Sequence, residues 1–249
     1  MSLSIHQSKT ALAPGFTAFF LGVGGLEPYV YSVLPGGAGG TIDPASGLYT
    51  APVVVNPDPK KSNDIIQVID LLGATASAPI LVTTPIGLVC EIIEREMGLS
   101  SGRVYFWDQK IFQPTDSDLF VAVSTLRCKP FANSIFYDGA SVGLNAVQSV
   151  NMLGQLSIDV ISRGPAARDR KEEILLALGS SYAQSQQEMN NFFIGKIPPG
   201  GQFVNLSNLD GSAIPYRFNI AINIQYMMRK LKPVQYYDTF SNVEVTTNP

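Results

Sequence analysis

Charge is scarce in this chain. Only 15% of its 249 residues are Asp, Glu, Lys or Arg, where about 25% is usual for a soluble protein. The hydrophobic share, 45%, is ordinary, so a sizeable core is possible. The polar surface must then be built largely from neutral side chains, which suits contact with other protein. Net charge is −3. Residues 1–84 carry three basic and five acidic groups, and residues 85–249 carry fourteen and fifteen. Neither half holds a basic run of the kind that grips phosphate backbones, so sequence-specific nucleic-acid recognition is not expected. Histidine is nearly absent. The single His6 lies near the first residue and reads as part of a flexible terminus, which leaves no base for a Ser-His-Asp or Cys-His arrangement. Two cysteines, Cys90 and Cys128, cannot make a zinc site alone; they read as buried small hydrophobes of a reducing cytosol. Asp108, Asp116, Asp118 and Asp138 lack calcium-loop spacing. The glycine run 36–40 has no Gly-Lys-Ser/Thr ending, so it reads as a loop and not a phosphate cradle. No apolar run approaches the roughly eighteen residues of a membrane span, and no charged-then-apolar leader is visible. The expectation is no catalytic, cofactor or metal site.

What is present begins with short apolar stretches separated by turn residues. Ala13-Pro14-Gly15, Gly24-Gly25, Leu34-Pro35-Gly36-Gly37 and Asn56-Pro57-Asp58-Pro59 punctuate residues 3–83, the pattern of an all-β sandwich. The most informative segment is Thr41-Ile42-Asp43-Pro44-Ala45-Ser46-Gly47-Leu48-Tyr49. Pro44 presets φ for a turn, and Gly47 can take the positive φ that closes it. Two further strands are predicted at Asp64–Asp70 and Ala74–Val82, and Tyr29, Tyr31 and Tyr49 are expected to fill the core.

The pattern changes at Thr83-Thr84-Pro85. Ile86, Val89, Cys90, Ile93 and Met97 recur on one helical face, with Thr84 as cap, Pro85 in the first turn and Gly98 beyond the end. Glu91, Glu94 and Glu96 fall off that face. Separate strands are predicted at Arg103–Gln109, Leu119–Leu126, Asn133–Tyr137 and Gln148–Ser162. Gly164-Pro165 precedes a second helix over Ala166–Asn190, with Ile174, Leu175, Leu178 and Tyr182 as its stripe and Gly179 weakening its middle. Arg168–Glu172 is a favourable i,i+4 pair there, and Asp169–Glu173 opposes it slightly. Phe218, Ile220, Ile222 and Ile224 alternate with polar residues, a strand with one buried face. After Pro233 comes an apolar segment, Tyr236-Tyr237-Asp238-Thr239-Phe240. The order α-β-β-β-β-α-β predicts an α+β domain, an antiparallel sheet with helices on one face.

Two resemblances rest on these residues. Thr41 to Pro52, with Pro44, Gly47 and Tyr49 at its centre, resembles the signature of bacterial and phage Ig-like domains. Residues 85–249 resemble tail-terminator and neck proteins of tailed bacteriophages in the order of their motifs: Met97-Gly98-Leu99, Trp107-Asp108-Gln109, a long strand carrying Asp159, Arg163-Gly164 before a helix, and Tyr216-Arg217-Phe218 opening the last strand. The resemblance implies two domains, an Ig-like sandwich over 1–84 and an α+β ring-forming domain over 85–249 with a C-terminal arm. It implies a structural virion protein of the tail or neck, made in the host cytoplasm, forming a ring, a hexamer in that family. Partners would be tail-tube, sheath or head-connector proteins, with DNA passing the lumen unread and no membrane. Tyr236, Tyr237 and Phe240 are the candidate interaction residues. A baseplate or tail-completion component is the alternative within that class. A surface-binding Ig-like adhesin is the alternative outside it.

Overall fold

A computed structural model of the chain describes residues 2–52, 61–107, 114–138, 145–195, 203–207 and 216–233. The first 82 residues supply eight strands: β1 (Ser4–Gln7), β2 (Ala11–Leu12), β3 (Thr17–Val23), β4 (Val30–Val33), β5 (Thr41–Ile42), β6 (Leu48–Thr50), β7 (Asn63–Ile69) and β8 (Thr75–Val82). They form two four-stranded sheets, ordered β1-β3-β6-β5 and β2-β8-β7-β4. Phe20, Ala18 and Tyr49 from one sheet meet Leu12, Tyr31, Ile66, Val68, Ile80 and Val82 from the other in one core. His6 is not in a loose terminus: it sits in β1, opposite Leu21 of β3.

Two aspartates with backbone and phenol donors fix the loops of this part. Asp64, almost fully buried, accepts from the Gly39 and Gly40 N–H groups and from the Tyr49 hydroxyl at 2.6 Å. Burial and that carboxylate push the Tyr49 phenol well above its ordinary range. Asp70 accepts from the N–H groups of Leu26, Leu72 and Ala74. At the turn singled out in the sequence, Asp43 Oδ1 accepts from Ala45 N, Ser46 N and Ser46 Oγ, and Gly47 N closes onto the Asp43 carbonyl. Gly47 has φ +69°, and a β-carbon there would collide with the Phe20 carbonyl oxygen. Gly47→Val is therefore expected to lower stability by about 2 kcal/mol or more. An unchanged urea midpoint in the full chain would refute this account of the turn.

The remaining elements are α1 (Pro85–Glu96), β9 (Val104–Phe106), β10 (Phe120–Asp138), β11 (Asn145–Ser162), α2 (Ala166–Arg170), α3 (Glu173–Leu178), α4 (Ser181–Asn190), β12 (Phe192–Ile194), β13 (Val204–Asn205) and β14 (Tyr216–Pro233). Thr84 Oγ1 accepts from Gly87 N and starts α1, as its sequence predicts, and Gly98 at φ +62° follows its end. The buried face is wider than the expected stripe, since Leu88 and Ile92 are fully buried with Val89 and Ile93.

Further expectations need correction. The strands read at 119–126 and 133–137 are one strand, β10. Pro130 fits inside it because the ladder shifts register between Pro130 and Ala132, and again between Thr125 and Arg127; irregular pairing of this kind, together with an edge position, accommodates a proline. The single helix over 166–190 is three. Ser180 Oγ accepts from Ala183 N and caps a fresh helix after Gly179, and the ion pairs formed are Arg170–Glu173, Lys171–Glu172 and Arg168–Asp169, not the i,i+4 pairs. The sheet is mixed, because β9 runs parallel to β10. Its order is β12-β14-β11-β10-β9, with β13 also on β14. Finally, Cys128 is exposed in β10, whereas Cys90 is buried and its thiol is pushed up to about 12 by burial first and the Glu94 charge second.

The core of this part joins α1, α3 and α4 to one face of the sheet. Leu88, Val89, Ile92 and Ile93 pack with Val121 and Val123 of β10, Leu156, Ile158 and Val160 of β11, and Phe218, Ile220, Ile222 and Ile224 of β14. Ala11 and Ala13 belong to the same core, and Ala13 N donates to Asn190 Oδ1 at 2.8 Å. Beside that contact, Glu91 accepts from the Tyr182 hydroxyl at 2.7 Å, and Arg95 lies 3.8 Å from the Tyr182 ring centre. Glu91 was expected off the apolar face, yet its Oε2 is buried without a partner. Burial raises its carboxyl pKa, only partly offset by Tyr182 and Arg95. A carboxyl raised on folding opposes the fold once pH climbs through the unfolded value. Glu91→Gln is therefore expected to raise the urea midpoint at neutral pH, with the gain fading by roughly pH 3.5, where both states are protonated. A gain that persists in acid would show that the charge is not its source.

Candidate functional surface

Direct neighbours across a ladder point to the same face, so the register assigns every side chain of the long strands. One face is the helix-covered core. The other is open, and its rows read Ser157, Gln155, Leu153, Asn151 and Ser149 on β11 against Ala221, Asn223, Gln225, Met227 and Arg229 on β14. On β10 the partners of these rows include Ser124, Arg127, Lys129, Ala132 and Ser134. Neutral amides and hydroxyls thus dominate this face, with cations among them. Phe131 and Phe193, both exposed, border a hollow of about 190 Å³ that Asn151, Asn191 and Gln225 also line. Arg127, Lys129, Gln155 and Asn223 line a second, adjoining hollow.

Where the open face meets α2, a buried polar cluster anchors it. Asp159 is 3% exposed. Its carboxylate takes a two-pronged ion pair from Arg217, Nε at 3.1 Å and Nη2 at 3.0 Å, and a third bond from Asn219 Nδ2 at 2.9 Å. Asn219 also reaches Ser157 Oγ, and the Arg217 guanidinium lies 5.4 Å from the Trp107 ring centre. Tyr105 stacks on Phe120 nearby; burial first, then the Asp159 charge, raise its phenol pKa.

Beyond Leu126 the helices no longer cover β10, although Pro85 and Ile86 at the start of α1 still border Tyr226–Arg229 of β14. Residues 126–137 of β10 are all exposed. With Asn145–Gln155 of β11 and Asn223–Pro233 of β14 they make a three-stranded tongue. Ile135, Tyr137 and Met228 stand on one face and Phe136 on the other, each half or more exposed. The outer edges of the tongue pair with no described strand past Val123 on β10 and past Tyr226 on β14. Lys129, Pro130 and two register shifts blunt the first edge, and Arg229, Lys230, Lys232 and Pro233 the second. The faces, and not the edges, are left to meet a partner.

The residues singled out in the sequence fall elsewhere. Pro44 and Gly47 form the turn already described, and Tyr49 is wholly buried in the core, as expected. Tyr236, Tyr237 and Phe240 lie outside the described residues, as does Asp108. Asp116 is held by Arg103 in a two-pronged pair. Among the described residues no three of His, Cys, Asp and Glu gather as metal ligands, and no helix is long and apolar enough to cross a membrane. The tongue escaped sequence reading because its third strand, β14, is far from β10 and β11 in the chain. Compared with known proteins, the chain matches no family model and no curated protein sequence.

Proposed function

We propose that this chain is a structural virion protein of a tailed bacteriophage. In this reading residues 1–84 are an Ig-like sandwich. Residues 85–249 build an oligomeric ring, a hexamer in the family resembled, that caps the tail tube or joins it to the head connector. The tongue is the observation that carries it. Leu126, Phe131, Ile135, Phe136, Tyr137 and Met228 are all half or more exposed on one three-stranded element. Apolar surface concentrated in this way marks a protein contact. Ring-forming contacts are heterologous, one patch of each subunit meeting a different patch of the next, and a tongue that extends past its own helices suits that geometry. The Asp159–Arg217 pair adds support, because it joins two of the motif residues that carry the resemblance. Their partnership ties the end of the long strand to the start of the last one.

Negative-stain images and light scattering of the purified protein test the proposal. Rings of uniform diameter are expected. A rod-like monomer that neither forms rings nor binds a tail-tube protein would overturn it and favour the adhesin.

A further inference from the structure

The tongue is also where the positive charge of the molecule collects. Arg127, Lys129, Arg229, Lys230 and Lys232 lie on it, and Asp138 is its one acidic residue. The chain holds 17 basic and 20 acidic residues, so taking away these five and one leaves 12 and 19. A tongue of formal charge +4 thus projects from a remainder of −7. None of the five cations makes an ion pair with a described residue; Arg229 lies 5.7 Å from the Phe16 ring centre.

We infer that the tongue binds the phosphodiester backbone of nucleic acid without reading sequence. Nine of the nineteen acids outside it are already engaged, which weakens a second copy as the source of the counter-charge. Asp116, Asp118, Asp159, Asp169, Glu172 and Glu173 are already in ion pairs. Asp43, Asp64 and Asp70 are taken up by hydrogen bonds from their own loops. Among the described residues these cations meet no anion, and a polyanion supplies many. The cations flank both faces, Arg127, Lys129 and Arg229 on the open one and Lys230 and Lys232 on the other, whereas a membrane surface is disfavoured because the apolar side chains form no continuous face on either. Asn133 and Gln148 interrupt them on one side, and Ser134, Ser149, Asn151 and Gln225 on the other. The amide-rich open face can donate to phosphate and sugar oxygens without adding charge. Phe131 and Phe193 offer ring faces beside it on which an unpaired base can stack.

This site is separable from ring formation, since it is read on the free chain. The measurement is fluorescence anisotropy of the full chain with a labelled duplex of random sequence and with an oligothymidylate of equal length. Both are expected to bind, with a log affinity against log salt slope of roughly −3, so that affinity falls on the order of 100-fold between 50 and 200 mM salt. The quadruple variant Arg127→Ala, Lys129→Ala, Lys230→Ala, Lys232→Ala is expected to flatten the slope to about −1 or less. Loss of two cations elsewhere, Lys61→Ala with Arg163→Ala, should leave the slope unaltered. Phe131→Ala should weaken the single strand and spare the duplex. Circular dichroism checks that each variant is folded. Three results would each overturn the inference: no binding of either DNA at 50 mM salt, an undiminished slope in a folded quadruple variant, or capture by phosphatidylserine vesicles with none by DNA. The first leaves the ring proposal standing, and a DNA-binding monomer would leave the inference standing without the ring.

Discussion

Replacing Arg217 with alanine is expected to destabilise the protein by about 3 kcal/mol, the lower end of what breaking a buried ion pair costs. Asp159 is 3% exposed. Its charge is tolerable there because Arg217 supplies two hydrogen bonds and Asn219 a third. With alanine at 217 the amide of Asn219 remains, and one neutral donor cannot offset the desolvation of an anion. The lower end applies because the Arg217 side chain keeps 31% of its area in water, so solvent screens part of the interaction. The diagnostic variant is the double one. Asp159→Asn removes the stranded charge and should recover a good part of the loss in the Arg217→Ala background. On its own it should cost less than Arg217→Ala, since the arginine can still meet water. Urea unfolding of the full chain reads all three. If Arg217→Ala lies within about 1 kcal/mol of wild type, the pair is not the anchor of the open face.

This ion pair shows where sequence reading succeeds and where it stops. Asp159 stood out as a polar residue of an alternating run, and Arg217 only as part of the motif that opens the last strand. Their partnership needed the register of β11 against β14, which sets Asp159 opposite Asn219 and Val160 opposite Phe218. Register is a tertiary property, fixed by which apolar set reaches the core. Local signals read reliably where the chemistry is local. The Thr84-Pro85 helix start and the Pro44–Gly47 turn depend on residues within four positions of each other, and both formed as expected. The long second helix failed for the same reason in reverse. Ser180 was read as a helix interior residue, though a serine after glycine is also a cap, and the choice between those roles rests on how α3 and α4 pack. The strands at 119–126 and 133–137 read apart in the sequence for a related reason, since only an edge position and a shifted register let a strand run on through Pro130.

The basic tongue was invisible for a simpler reason. Splitting the chain at residue 84 gives two nearly neutral halves. Arg127 and Lys129 are separated from Arg229, Lys230 and Lys232 by about a hundred residues of mixed charge, and only β11, lying between β10 and β14, brings the two groups onto one element. A charge count along a sequence averages over the distances that matter to a phosphate backbone, which are set by strand spacing of about 5 Å. The same sheet that hides the apolar rows of β14 from water gathers these cations in it. Strands long enough to outrun their helices leave both kinds of side chain exposed together.

Truncation after Lys232 is expected to leave a folded chain that no longer assembles. Pro233 is the last residue of β14 and lies opposite Asn145, where β11 begins. Asn145 is also the partner of Asp138, the last residue of β10. The last described residue of β14 therefore lies at the tip of the tongue, at the end of the sheet that also holds Tyr137, Phe136 and Ile135. Proline has no N–H to continue a ladder, and the seven residues that follow carry Tyr236, Tyr237 and Phe240. Short extended segments commonly add to a neighbour's sheet or groove. Burying two or three aromatic rings supplies a few kcal/mol per contact by area alone, before the cost of association. Repeated at every contact of a closed ring, that is enough to decide whether the ring forms. The core residues of β14 end at Ile224, so the cut removes none of them, and the urea midpoint should stay close to that of the full chain. Size-exclusion chromatography with light scattering, run with and without a tail-tube protein, reads the outcome. Rings of unchanged mass that still dock on the tube would show that Tyr236, Tyr237 and Phe240 form no arm, and would leave the exposed faces of the tongue as the assembly surface.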